Sequence, residues 1–136
     1  MAFALKPLIS RILAIAWVIA LWAMLHVINA GARELHWEEG SRALQARSML
    51  EGGHWLVPKL CGKPYLLKPP MLPWLMAAAA RVTGTLDEWA VRLPSLLAVL
   101  LMGVAVYSLV RRAASPGAGV FAASAFFLSP LILEKG

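Results

Sequence analysis

Apolar positions run almost unbroken over residues 12–29, from the late nineties to 110, and over 118–133, and a mixed polar segment separates the first run from the second. The run ILAIAWVIALWAMLHVIN has about the length an α-helix needs to cross a bilayer core of ~30 Å, and it predicts a span over 12–29. Lys6 and Arg11 precede it and place its N-terminal end on the cytoplasmic side. The rival reading is a cleaved secretory signal, because the start is basic and Ala30-Gly31-Ala32 has the small-x-small form of a cleavage site. The length of the run and its Trp17 and Trp22 favour an uncleaved span. His26 reads as a headgroup-level or helix-facing histidine rather than a ligand.

Beyond residue 31 the pattern changes. Leu35, Ala43, Ala46 and Leu50 recur near helical spacing, and Gly52-Gly53 stops them, so an amphipathic helix over 35–50 is expected along the membrane surface. Residues 54–68 carry Pro58, Gly62 and Pro64 and read as extended loop. Pro69-Pro70 opens a second short helix, 70–83, since proline is tolerated where first-turn amides have no partner. At about 1.5 Å per residue it is too short to cross, and should be interfacial. Thr85 and Glu88 have capping-box spacing and open a span over 87–110, which Arg111-Arg112 closes as a cytoplasmic end. Ser115-Pro116-Gly117 reads as a turn before the third span.

The expected fold is therefore an all-α integral membrane protein. It has about three transmembrane helices and an extracytoplasmic segment, 31–86, that holds two juxtamembrane helices. Composition agrees: 60% of the 136 residues are hydrophobic and only 15% are charged, which fits an integral membrane protein better than a soluble domain. The net charge of +6 would suggest nucleic acid in a soluble chain. Here the basic residues sit at span ends and in the polar segment, so membrane lipids and phosphate-bearing substrates are the partners expected, with no nucleic acid. Cys61 is the single cysteine, so no intrachain disulfide and no cysteine metal site exists.

The polar segment collects the candidate chemistry. Glu38 and Glu39 are adjacent, hence about 100° apart on a helix, so one of them faces any given pocket. Glu38 and Arg42 are four apart and can pair, although the plainer reading of both is a solvated helix face. Two prolines follow Lys68 and restrict its backbone to extended forms, which aims its ammonium. A fixed lysine at headgroup level suits a phosphate, and equally a lipid-headgroup anchor. His54 lacks partners at ligand spacing, and no metal site is expected. Trp55, Trp74 and Trp89 suit interface anchoring, and Arg92 at the start of a span reads as snorkelling outward. No phosphate loop, zinc spacing or nucleophile elbow is present.

An ordered set of short motifs then connects these residues. They are Glu38-Glu39, Met49-Leu50, Gly53, Trp55-Leu56-Val57-Pro58, Gly62-Lys63-Pro64-Tyr65, Lys68-Pro69-Pro70, Trp74-Leu75 and Arg92-Leu93-Pro94-Ser95. Together they resemble the N-terminal region of the protein O-mannosyltransferase-like family 39 glycosyltransferases, which include aminoarabinose transferases acting on lipid A. The resemblance implies a partial GT-C fold in the bacterial inner membrane. It implies a transferase that moves a sugar, with inversion, from a polyprenyl phosphate to a lipid, protein or glycan acceptor on the outer face. It makes Glu38 the catalytic carboxylate and Lys68 the donor-phosphate contact, with Glu39, Arg42 and Tyr65 as supporting groups. No cofactor is implied for this chain itself, and a divalent metal is left open for the full-length enzyme.

Three departures stand out. The family's pair more often begins with Asp, it is usually followed by x-Arg-Tyr where this chain has Gly40-Ser41-Arg42, and an acid often precedes the lysine where Leu67 stands. Such enzymes are several times longer, so the chain is expected to be an N-terminal part that is inactive alone. The alternative from another class is a small non-catalytic membrane subunit whose outer loop binds a partner or lipid headgroups.

Overall fold

A computed structural model describes residues 2–28, 30, 34–130 and 132, with side chains from residue 9 onward. The chain is mostly helical and divides into two compact units, residues 29–95 and the remainder. The Ala30-Gly31-Ala32 motif and the end of the run expected to reach 133 lie partly outside the described residues.

The first unit holds α1 (Ala2–Trp22), most of α4 (Glu88–Ala113) and α5 (Pro116–Phe127). Helix α1 begins well before the apolar run and widens into a π-helical turn at Ala23–Val27. Residues Ile9–Val27 and α4 are both long and apolar enough to cross a membrane. Their outward faces are bare, with Ile12, Leu13, Trp17, Leu101, Met102 and Leu109 all exposed. A helix apolar on nearly every side belongs in lipid or in a large core, and here most of that surface is uncovered. The buried cluster is Val18, Tyr107, Ala123 and Phe127. Two glycines on facing helices set its closeness. A Cβ on Gly103 would fall 2.1 Å from the Phe127 ring, and one on Gly119 would fall 2.8 Å from the Tyr107 carbonyl oxygen. Small residues let helix backbones approach where no hydrophobic drive separates lipid from protein. Trp17 donates to Ser124 Oγ at 3.3 Å, and Trp22 to the Leu96 carbonyl at 3.1 Å.

Helix α5 differs from the third span read from the pattern. Ser115 caps it by accepting from Ala118 N–H at 3.2 Å, with Pro116 in its first turn, so the expected turn is a helix start. Its 12 residues cover about 18 Å, well short of a ~30 Å hydrocarbon core.

In the second unit, α2 (Trp37–Gly52) and α3 (Met71–Thr83) pack with the first turns of α4. Each of the two ends on a left-handed glycine. Gly53 has φ 68° and donates to Met49, and Gly84 has φ 86° and donates to Ala80. Ala46, Met76, Ala77 and Val91 are buried together, and Ala79, Ala80 and Ala90 extend the contact. The start of α4 is set by Asp87, which accepts from Ala90 N–H at 2.9 Å. Thr85, expected as the cap, instead donates its hydroxyl to the Asp87 carboxylate at 3.1 Å. The carboxylate is the stronger acceptor and sits one residue before the helix, so it takes the cap.

The stretch read as plain loop contains a small hairpin, β1 (Lys59–Leu60) against antiparallel β2 (Lys63–Pro64). Cys61 and Gly62, at φ 50° and 81°, make its two-residue turn, the primed geometry whose twist suits a hairpin. Cysteine carries no turn signature, which hid the hairpin in the sequence. Lys59 N–H donates to Ser48 Oγ at 3.0 Å and Pro58 is fully buried, so the hairpin is fastened to α2.

Candidate active site

Helix α2 presents its two acids to different partners. Glu38 meets Lys68, which is 30 residues away in the chain. The Lys68 ammonium donates to Glu38 Oε1 and to Oε2, both at 2.8 Å. The pair is open to water, with side-chain exposures of 64% for Glu38 and 42% for Lys68. The hydrogen bond and charge of Lys68, helped slightly by Arg42, hold the Glu38 carboxyl below its ordinary value. Glu38 therefore takes Lys68 as its partner rather than the Arg42 expected from helical spacing. Arg42 stays half-buried on α2 and contributes only at a distance.

Lys68 is delivered by the chain on both sides. Before it, Tyr65 N–H closes the hairpin onto the Pro58 carbonyl at 2.8 Å. After it, Pro69-Pro70 lead into α3, where Trp74 N–H bonds the Pro70 carbonyl at 2.9 Å. Tyr65 thus enters through its backbone, with its side chain half-buried. Trp55 is pinned as well. Its carbonyl accepts from Trp74 Nε1 at 2.7 Å, and the Arg81 guanidinium lies 4.9 Å over its ring. The Arg81 cation covers one face that sugar stacking would need.

Glu39 has a structural position. One of its carboxylate oxygens accepts from the His36 N–H at 2.9 Å, capping the start of α2. Arg92 grips the same carboxylate in a fork, Nε to Oε1 at 3.1 Å and Nη2 to Oε2 at 3.0 Å. Arg92 also donates to the carbonyls of Ala30 and, at 3.0 Å, Glu34. Its side chain is only 10% exposed. It does not snorkel, because an acid and two carbonyls from the preceding segment converge where it leaves α4. No local pattern on α4 announces those acceptors, although its place at a span start and the Arg-Leu-Pro-Ser motif both draw attention to this arginine.

The arrangement supplies a carboxylate able to take a proton and a cation able to meet an anion, held together on an exposed surface. Among the described residues no three His, Cys, Asp or Glu side chains gather as a metal-holding set.

Comparison with curated proteins and with solved structures returns no match. A family model described as dolichyl-phosphate-mannose-protein mannosyltransferase matches residues 67–136, just over half of the chain. Lys68, Trp74-Leu75 and Arg92-Leu93-Pro94-Ser95 fall inside the match, and Glu38 and Glu39 lie before it. With two helices long and apolar enough to span a bilayer, this is a membrane protein of a glycosyltransferase kind. The family uses polyprenyl-phosphate-linked sugars as donors. The chain belongs to the dolichyl-phosphate-mannose-protein mannosyltransferase family.

Proposed function

We propose that this region supplies the reacting pair of an inverting GT-C transferase, with Glu38 as general base and Lys68 as the donor-phosphate contact. The acceptor hydroxyl gives its proton to the Glu38 carboxylate as its oxygen attacks the anomeric carbon from the face opposite the phosphate. The bond from that carbon to the phosphate oxygen breaks, and the polyprenyl phosphate leaves with the electron pair. No general acid is needed, because the leaving group is already a stable anion. The Lys68 ammonium meets the charge that grows on it. The reaction takes place on the extracytoplasmic face, with 31–86 outside and the N-terminus in the cytoplasm.

The contact between Glu38 and Lys68 supports this reading, since the fold brings together two groups that the chain separates by 30 residues. A donor phosphate competes with Glu38 for the same ammonium. As it draws Lys68 away, the carboxylate loses the partner that depresses its basicity. Base and donor contact are thereby coupled.

The test is sugar transfer by the transferase in membranes, from a polyprenyl-phosphate sugar to its acceptor. Glu38→Gln should lower the rate by about 10²–10⁴-fold, as expected for a lost general base. Lys68→Ala should weaken donor use, with membrane insertion intact in both variants. Unchanged transfer in both would sink the assignment.

A further inference from the structure

We propose that the hairpin segment of residues 54–70 is a docking element for the anionic headgroup layer of the bilayer. It sets Leu56, Val57, Leu66 and Leu67 into the interface, and Lys59 and Lys63 on the lipid phosphates. This inference stands apart from the transferase reading and needs no sugar donor.

The apolar side chains come first. Pairing runs from Leu60 with Lys63 through Lys59 with Pro64, and closes where Tyr65 N–H meets the Pro58 carbonyl. The next positions outward on the two arms are Val57 and Leu66, then Leu56 and Leu67. Leu56 is 85% exposed, Leu66 77% and Leu67 84%. Large apolar side chains bare on both arms of one hairpin are costly in water, at about 25 cal/mol per Å² of apolar area.

The charge around them has one sign. Residues 52–86 carry Lys59, Lys63, Lys68 and Arg81 and not one Asp or Glu. Lys68 is engaged by Glu38, and Arg81 lies over Trp55. Among the described residues Lys59 and Lys63 have no carboxylate partner. They flank the turn on the same hairpin as the bare leucines. Apolar side chains beside unpaired cations match an acidic lipid surface, where each lysine contributes about 1 kcal/mol, or about fivefold in binding.

Connectivity favours lipid over a protein partner. The two helices long enough to cross a bilayer lie on either side of it in the chain, residues 9–27 before α2 and α4 after α3, so the segment is tethered to the membrane through both. A partner strand finds little to pair with. Each strand has two residues, and Pro58 and Pro64 offer no N–H to an added neighbour.

The experiment reads the depth of one probe. The full chain is reconstituted into phosphatidylcholine vesicles, and into vesicles in which phosphatidylglycerol replaces part of the phosphatidylcholine. An environment-sensitive dye is placed at Leu66→Cys in a Cys61→Gly background, a substitution that suits the positive φ of that turn. A second sample carries the dye on the native Cys61, which is exposed and needs no change to the hairpin. The expected result is quenching by a shallow spin-labelled lipid and protection from aqueous iodide at Leu66→Cys, both stronger with phosphatidylglycerol. Replacing Lys59 and Lys63 with Ser should lower the docked-to-free ratio by about fivefold per lysine, and high salt should do the same. Iodide reaching the probe as freely as it reaches free dye overturns the proposal. Protection without lipid quenching overturns it too, because protein would then be the cover. Lipid quenching indifferent to phosphatidylglycerol and to both lysines refutes the anionic assignment.

Discussion

Replacing Arg92 should loosen the start of α2 before it disturbs anything else. The guanidinium holds both oxygens of Glu39 and the carbonyls of Ala30 and Glu34, and its side chain is 10% exposed. Arg92→Met keeps the stem and helix propensity and removes every one of those donors. Breaking a buried ion pair from one side costs about 3–5 kcal/mol. Glu39 is 34% exposed and keeps its bond from the His36 N–H, so solvent screening brings the expected loss to about 2–3 kcal/mol. Arg92→Lys retains the charge but cannot fork onto a carboxylate, and should recover about half of that. The assay is amide hydrogen exchange of the chain in lipid nanodiscs, followed at the first turn of α2. A loss of about 2 kcal/mol speeds exchange there by roughly 30-fold if opening is local. Wild-type exchange rates at those amides in Arg92→Met would refute the clamp.

Two further outcomes follow from the same geometry. Lys68 holds the Glu38 carboxyl below its ordinary value of 4.5, so the stability this pair adds is complete above the unfolded pKa and fades as pH falls through the lower folded one. Lys68→Met should raise the Glu38 pKa, read from its side-chain carboxyl resonance against pH, and an unmoved titration would contradict the pairing. In the other unit, Gly103→Ala puts a methyl 2.1 Å from the Phe127 ring and should destabilise the chain by about 1–3 kcal/mol in detergent melts. Phe127→Leu should restore part of the loss, and additive effects of the two changes would argue against contact.

What the sequence discloses here depends on how far each signal reaches along the chain. The long apolar runs declare α1 and α4 because a bilayer demands length and composition alone, and the structure keeps both features. The end of α2 is legible because Gly53 takes left-handed geometry that other residues resist, and Gly84 ends α3 in the same way. Where two local signals competed, pattern alone could not choose. Thr85 had the capping spacing, but the Asp87 carboxylate was nearer and charged. The hairpin was hidden because Cys61 occupies a φ of 50° that normally advertises Gly or Asn. The buried position of Arg92 was least legible, since its acceptors lie in a segment more than fifty residues earlier.

The adjacent acids at the head of α2 are the clearest case of sequence neighbours separated by geometry. A turn of about 100° between them sends Glu38 and Glu39 to different surroundings. Glu39 meets the N-cap amide and a nearly buried arginine, so its charge is spent on holding the helix start. Glu38 meets only an exposed lysine that can be drawn away, so its charge remains available. An ammonium is a compact point charge with freely rotating donors, whereas the guanidinium fork is fixed in plane. The exchangeable contact has therefore fallen to the lysine and the permanent one to the arginine. Since Arg92 fixes Glu39, it also fixes the rotation of the first turn of α2, and with it the direction in which Glu38 leaves the helix toward Lys68.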